Sequence, residues 1–463
     1  MRNKVSRDDL KNLLCAIESL IQIILLTVVY FYLWRHSYRG ISGVFFYGRG
    51  KYVLAGVYAL LIYIVFSFND GFKFGFLKSA EVFFGQAQAI LLINALTYGQ
   101  LSLIARKLVE VVPMVMLTIS QILICACCVF LFTKLYHCIY APHNMLLIYG
   151  NRGAVSIIDK VNERQEKYHV SNTISSDLPK EEIEKAISQY DSVIINDIKG
   201  QKRNDILKNC YENGVYTYLV PKISDIIISG AQDINLFDTP LRLIKGKGLS
   251  LSQRFIKRTL DILLSSIAMI ITAPLILVIA IAIKREDGGP VFYRQKRITK
   301  DGKEFNILKF RSMIVDAEKD NCSIPATDND PRITKVGRII RKLRIDELPQ
   351  ILNILGGSMS IVGPRPERIE HVKAYSKNIP EFRCREKVKG GLTGYAQVVG
   401  KYNTNPYDKL RMDLMYIENY SLALDLKIIF QTVRILFRRE STQGFDKQSR
   451  QDDAENPVTE ETS

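Results

Sequence analysis

The sequence predicts a membrane protein of mixed α/β class in three parts: an N-terminal four-helix transmembrane region, a Rossmann-like parallel α/β module, and a C-terminal domain entered through a proline-interrupted apolar helix. Three observations predict it. Four apolar stretches fill the first third, roughly 13–34, 52–68, 82–105 and 113–136. Short buried-strand patterns then alternate with charged helical ones. A further apolar run, 260–284, precedes a long cation-rich remainder. The chain has 463 residues, more than one ordinary domain. The boundaries expected are 1–140 for the transmembrane helices, 141–235 for the module, 236–253 for a linker, 254–445 for the last domain and 446–463 for a disordered acidic tail.

Each of the four apolar stretches has about the ~20 residues that cross a bilayer as a helix. The third is the least apolar, since it carries Gln86, Gln88 and Asn94. In the first, Glu18 and Gln22 lie one turn apart and share a face, which is expected to pack on a neighbouring helix rather than meet lipid. The basic N-terminus followed by a long apolar run reads as a retained anchor, not a cleaved leader. An even number of spans places the N-terminus and everything after 137 on one side, expected to be the cytoplasm; arginines and lysines on both sides of the first span leave the positive-inside rule little to decide.

Residues 144–149 (NMLLIY), 191–197 (DSVIIND) and 215–220 (VYTYLV) are buried-strand patterns separated by helical segments, the alternation of a parallel sheet. Gly150 and Gly153 after the first strand make only half of a dinucleotide fingerprint. A tight turn closing strand onto helix is the favoured reading. An oxidoreductase would need the full glycine pattern and a late acid; Asp177 could serve as the acid, but the fingerprint is missing. The tail after about 445 is polar, acidic and free of aromatics.

Residues 260–284 would span about 36 Å as a straight helix, enough to cross. Pro274 removes a backbone hydrogen bond and kinks the helix, so the run could instead enter one leaflet and return. Arg254, Lys257 and Arg258 before it and Lys284 and Arg285 after it suit two ends on one anionic surface. The residues alone leave a fifth span and a re-entrant helix both open.

Net charge is +16, which nucleic acid, an anionic membrane or a phosphorylated substrate could each explain. No nucleic-acid motif is present, and the apolar segments favour the last two; nucleic acid is not an expected partner. Eight cysteines in no paired array, and five scattered histidines, give no disulfide framework and no metal-ligand spacing.

The chemistry concentrates at an adjacent acid pair, Asp346 and Glu347, in RKLRIDELPQ (341–350). A helix over 338–355 would place Lys342 one turn before Asp346, keeping it ionised, and Glu347 about 100° away. A surface salt bridge is the commoner fate of such a pair. Pro349, the stiff Pro364-Arg365-Pro366 element and the neighbouring membrane segment raise the functional reading. Upstream, residues 289–313 read as a hairpin about an Asp301-Gly302 turn, its second strand aligning Phe305, Ile307, Lys309 and Arg311 on one face. An ionised carboxylate can attack phosphorus, a neighbouring carboxylate can hold Mg²⁺ against diphosphate oxygens, and Arg and Lys offset the anionic charge.

The segments KRTLD (257–261), GPVFYRQ (289–295), KFRSM (309–313), RKLRIDELPQ (341–350), SIVGPRP (360–366), GLTGYAQV (391–398) and YIENYSLALDLKII (416–429) occur in this order over about 190 residues. Together they resemble the bacterial sugar transferases, the polyprenyl-phosphate sugar-1-phosphate transferases, in their large form. The resemblance implies a cytoplasmic-face catalytic domain with amphipathic helices and a re-entrant helix (258–285) in the bacterial inner membrane. It implies Asp346 as nucleophile on a UDP-sugar, Glu347 as Mg²⁺ ligand, and Lys309, Arg311, Arg341 and Arg365 as phosphate or nucleotide contacts. Undecaprenyl phosphate would be the acceptor, UMP the first product, and capsule, exopolysaccharide or O-antigen synthesis the pathway begun. The family's helix break is Ser-Pro; here it is Ala273-Pro274, a departure that keeps Pro274 as the break. A homo-oligomer, the sugar, and any ligand of the Rossmann-like module are left open by the sequence. The intact acid pair among cations argues against a non-catalytic scaffold, while a transferase with another acceptor or nucleotide stays open.

Overall fold

The computed structural model describes residues 2–38, 50–140, 142–150, 155–162, 164, 167–246, 248–315, 317, 330–400 and 404–436. The tail expected at 446–463 and Gly153 of the half fingerprint lie outside the described residues. The chain divides into two compact units, Met1–Lys222 and Ile223–Ser463.

The first unit opens with four long helices, α1 (Arg2–Leu33, continued by a π-helical turn to Tyr38), α2 (Gly50–Phe68), α3 (Ser79–Ala105) and α4 (Val111–Ile139). All four are long and apolar enough to cross a membrane. The polar residues that weaken the third span as a lipid-facing helix turn inward. Gln22 and Gln86 exchange two amide hydrogen bonds at 2.8 and 3.0 Å. Tyr58 donates to Asn94 Oδ1 at 2.7 Å, and Asn94 donates to Gln121 Oε1 at 2.9 Å. Each amide thus meets a partner that lipid could not supply, which is why polar side chains line the seam of an apolar bundle. Glu18 is buried with neither carboxylate oxygen bonded among the described residues.

The same unit continues with a four-stranded sheet in the order β2-β1-β3-β4, every pairing parallel, formed by β1 (His143–Tyr149), β2 (Tyr168–Ser175), β3 (Ser192–Asn196) and β4 (Tyr216–Leu219). Helices α5 (Val155–Asn162), α6 (Lys180–Ile187) and α7 (Gly200–Glu212) connect them. β1 and β3 are central and covered on both faces, so they read as unbroken apolar runs. β2 is an edge strand with no buried residue, and its polar sequence carries no strand signal. Gly150 has a packing role: an added Cβ there would lie 2.9 Å from the Asp197 carbonyl carbon and 3.2 Å from Ile198 Cα. This close strand-to-turn approach matches the tight-turn reading, and Asp177 is spent on a surface ion pair with Lys202 at 2.9 Å.

The second unit begins earlier than the sequence suggests. Helix α8 (Ile223–Ser229) buries Ile223 and Ile226 against Leu410 and Leu414, so it belongs with the last domain and not with the sheet. The segment expected as a linker is largely ordered: β5 (Gln232–Leu236) and β6 (Thr239–Leu243) form an antiparallel hairpin whose residues are all exposed. With no buried face, its sequence carries no burial pattern to read.

Helix α9 (Leu251–Asp287) is one continuous helix with Pro274 inside it. Ser250 and Gln253 form a capping box at its start, and Gly288, at φ 71°, closes its end. It is the fifth helix apolar and long enough to span. Its buried positions are Lys257, Asp261, Ser265, Ile279 and Ile283, whose spacing puts them along one side of the helix. Near the start, Lys257 donates to Asp425 at 2.7 Å, Arg258 donates to the Ile354 and Leu355 carbonyls at 2.6 and 2.7 Å, and Asp261 accepts from Ser360 Oγ and Ile361 N at 3.0 Å each. Near the end, Ile279 and Ile283 pack on Phe310 and Ile340. Both ends therefore rest on the same unit.

The expected hairpin is present as β7 (Phe292–Ile298) and β8 (Glu304–Phe310), antiparallel, with Asp301 and Gly302 at φ 58° and 72° in the turn. The single helix expected over 338–355 is not. Helix α10 (Lys335–Lys342) ends at Leu343, Arg344 adopts φ 56°, a short 3-10 turn covers Ile345–Glu347, and α11 (Gln350–Leu355) follows Pro349. The left-handed residue redirects the chain, so Lys342 is no longer one helical turn behind Asp346. The remainder comprises β9 (Ser360–Val362) paired in parallel with β10 (Gly391–Thr393), and helices α12 (Ile369–Asn378), α13 (Tyr395–Val399), α14 (Pro406–Glu418) and α15 (Leu422–Leu436).

The bundle seam yields a test. Gln22→Leu strands one donor and one acceptor of Gln86 in an apolar interior and is expected to cost about 1 kcal/mol. Gln22→Leu with Gln86→Leu removes the pair and is expected to recover part of that loss. Thermal unfolding midpoints in detergent check both.

Candidate active site

The break at Arg344 creates the site. By ending α10 and starting a tight turn, it presents Asp346 and Glu347 next to strand β8 rather than on a helix surface. Lys309, near the end of β8, places Nζ 2.8 Å from Glu347 Oε1. Arg365, in the Pro-flanked segment after β9, donates Nη2 to the same oxygen at 3.0 Å. Two cations from distant parts of the chain therefore share one carboxylate oxygen. Oε2 of Glu347 accepts no hydrogen bond among the described residues and is free to accept a metal ion.

Electrostatics separate the two acids. Burial alone would raise the Glu347 pKa, but the charges of Arg365 and Lys309 outweigh it and hold the carboxyl well below the ordinary range. Asp346 shifts the other way: burial pushes it up, Lys309 and Arg341 oppose this, and the Glu347 charge adds to the rise. Adjacent carboxyls with opposite shifts are the pattern of a pair with divided roles.

Of the seven predicted site residues, the structure brings Asp346, Glu347, Lys309 and Arg365 together, with the Arg341 charge felt at Asp346. Arg311 is elsewhere in its bonding. It is buried, ion-paired to Asp287 at the end of α9, and its backbone N–H donates to Val291 O at 2.9 Å. Its Nε and Nη1 have no partner among the described residues. Pro274 lies inside α9 and touches none of these groups through a recorded bond. Sequence reasoning missed a second layer behind Arg365, made of Arg297, Glu367, Arg385 and Asp413. Glu367 adjoins the Pro-Arg-Pro element and could have been suspected. Arg385 and Asp413 are separated from it with no period that a pattern search would find.

Residues 252–439 match the family described as Bacterial sugar transferase. A UDP-glucose:undecaprenyl-phosphate glucose-1-phosphate transferase of Caulobacter vibrioides is 42% identical over 191 residues, covering 40% of this chain and 71% of that relative. The chain belongs to the bacterial sugar transferase family. Every site residue above falls inside the matched span. A UDP-glucose:undecaprenyl-phosphate glucose-1-phosphate transferase of Klebsiella pneumoniae is 40% identical over 253 residues, 54% of this chain and 52% of its own length. A UDP-N-acetylgalactosamine-undecaprenyl-phosphate N-acetylgalactosaminephosphotransferase of Aeromonas hydrophila is 38% identical over 255 residues, 54% of this chain and 59% of its own length. The chain thus spans a little over half the length of these two sugar transferases.

Gly289 gives a test of the α9–β8 junction. An added Cβ would stand 2.8 Å from Arg311 Cζ and 2.8 Å from a Val315 methyl. Gly289→Ala is expected to push the buried guanidinium off Asp287 and lower stability by about 1–3 kcal/mol, read as a fall in the thermal midpoint.

Proposed function

We propose that this bacterial sugar transferase moves a sugar 1-phosphate from a UDP-sugar to undecaprenyl phosphate, in two steps through an aspartyl phosphate on Asp346. The observation that carries the reading is the convergence of Lys309 and Arg365 on Glu347 Oε1 beside Asp346. In the first step an oxygen of Asp346 attacks the sugar-bearing phosphorus, the phosphoanhydride bond breaks, and UMP leaves. In the second, the phosphate oxygen of undecaprenyl phosphate attacks the acyl phosphate, forms the new phosphoanhydride and frees the carboxylate. One anhydride is broken and one made, so the overall reaction lies near equilibrium.

The protein's own groups do most of this by charge. Lys309 and Arg341 oppose burial at Asp346 and so favour its ionised, nucleophilic form, while Lys309, Arg341 and Arg365 together offset the charge of an approaching diphosphate. Glu347, through its open Oε2, would hold Mg²⁺, an ion that takes one or two carboxylates with substrate phosphates. When bound, Mg²⁺ would supply charge stabilisation at the diphosphate. Arg311, buried at the helix junction, would act on phosphate only through its open Nε and Nη1.

The re-entrant geometry of α9 belongs to the same proposal. Run straight, Arg258 to Ile283 would span about 38 Å. Arg258 holds the Ile354 carbonyl, Asn353 next to it bonds Asn306 O and Leu308 N, and Ile283 packs with Phe310. Asn306 to Phe310 is only about 13 Å of strand. A bend near Pro274 that returns the helix to one face reconciles these contacts. With four preceding spans and a cytoplasmic N-terminus, such a bend would leave the catalytic domain on the cytoplasmic face of the bacterial inner membrane, where nucleotide sugars are found. Relatives act on glucose and on N-acetylgalactosamine donors, so these sugars head the panel to be tested. Entry into exopolysaccharide, capsule or O-antigen synthesis follows from the lipid-linked product.

Purified protein in detergent with Mg²⁺, undecaprenyl phosphate and the UDP-sugar panel is expected to release UMP. Asp346→Asn should lower that rate on the order of a thousandfold or more, and chelation by EDTA should abolish it until Mg²⁺ is restored. A near-normal rate in Asp346→Asn would remove the nucleophile assignment. For topology, a cysteine replacing the exposed Lys296 is expected to react with a membrane-impermeant maleimide only from the cytoplasmic side; reaction from outside intact cells would make α9 a plain fifth span.

A further inference from the structure

Four consecutive carbonyls, Pro364 to Glu367, each accept a hydrogen bond from a different residue of the second unit. Gly391 N donates to Pro364 O at 2.9 Å and Ile298 N donates to Glu367 O at 3.1 Å. Between them, Arg385 Nη2 donates to Arg365 O at 3.0 Å and Arg297 Nη1 donates to Pro366 O at 3.2 Å. The flanking prolines explain why carbonyls are the handles. Proline fixes its own φ but has no N–H, so residues 364 and 366 offer the rest of the protein only acceptors.

We infer that Arg385 and Arg297 are positioning residues for Arg365, holding the backbone from which its guanidinium reaches Glu347. The inference rests on the proposed function and extends it to groups that touch neither acid. Arg385 is 5% exposed and is itself held. Asp413, 1% exposed, lies 2.7 Å from its Nη2, Glu367 Oε1 lies 3.5 Å from its Nη1, and its guanidinium sits 5.0 Å over the Phe382 ring. Arg297 is half-buried, and Gln295 Oε1 fixes its Nη2 and Nε at 2.6 and 3.1 Å. An arginine buried between two acids is a costly way to fill a core, since apolar side chains of the same volume pack at least as stably. What it provides that they cannot is a directional donor at a chosen carbonyl. Arg365 itself stays half-exposed, so its placement depends on the backbone beneath it rather than on side-chain packing. Lysine at 385 keeps the charge for Asp413 but has no planar fork to serve a carbonyl and two carboxylates at once.

The test is a double-mutant cycle on UMP release by the full chain in detergent. Arg385→Lys is expected to lower kcat about tenfold in the wild-type background and by no more than about twofold when Arg365 is already lysine. Equal losses in the two backgrounds would mean that Arg385 serves only stability, and would overturn the inference. If the wild-type chain releases no UMP with any UDP-sugar, the proposed function fails, yet the positioning claim is still decided by chemical modification. Phenylglyoxal should then modify Arg365 several-fold faster in Arg385→Lys than in the wild type, measured by peptide mass spectrometry, and an unchanged rate overturns it. Should Arg385→Lys not fold, Arg297→Lys enters both experiments with the same expected directions.

Discussion

One carboxylate oxygen organises the catalytic end of this protein. Glu347 Oε1 receives Lys309 from a β-strand and Arg365 from a proline-braced segment, joining two pieces of chain that share no other recorded bond. The two cations make Glu347 a firm anion despite its partial burial, and the anion in turn keeps both cations beside Asp346. Because the Arg365 side chain is about half in water, the pair's worth lies in geometry more than in stability. Removal of the carboxylate would leave two cations with nothing to gather them.

The rest of the second unit serves that point of contact. Buried ion pairs recur where elements must meet at a set angle: Lys257 with Asp425 at the start of α9, Arg385 with Asp413 behind the Pro-Arg-Pro segment, and Arg311 with Asp287 at the helix exit. Such pairs add little net stability over apolar packing, but they tolerate few alternative arrangements. Tyr416 joins the first of them, donating to Asp425 at 2.8 Å while accepting from Lys257 at 3.1 Å. The membrane helix is thereby locked to the C-terminal helices by hydrogen-bonded charge, and to β9 by Asp261.

What could be read beforehand follows from where each signal resides. The apolar spans, the two central strands and the Asp301-Gly302 hairpin are visible because burial imposes a period or an unbroken run on the sequence. The acid pair and its cations stand out by residue type and neighbourhood, and the fold brings Lys309 and Arg365 together on Glu347. The edge strand β2 and the exposed β5–β6 hairpin were invisible for the converse reason, since water on their faces leaves no pattern. The helix over 338–355 looked continuous because α10 and α11 both carry helical spacing. Only the backbone at Arg344, a residue that rarely adopts positive φ, separates them. The arginines behind Arg365 leave no such signal, because what they hold in that segment are backbone carbonyls, which every residue has.

The pattern of burial along α9 has a consequence for how this helix can vary. Its first and last turns carry Lys257, Asp261, Ser265, Ile279 and Ile283 into the protein, whereas no residue between 266 and 278 is buried there. The two ends are therefore read by specific partners, and the middle, apart from Ile276 on the Phe310 cluster, mainly by the solvent it lies in. Drift among apolar residues through the middle, Ile276 apart, leaves every named protein contact intact. A single change at an end disturbs a named bond. One helix thus combines two rates of permissible change, slow at its termini and fast at its centre, with the boundary set by where protein gives way to lipid.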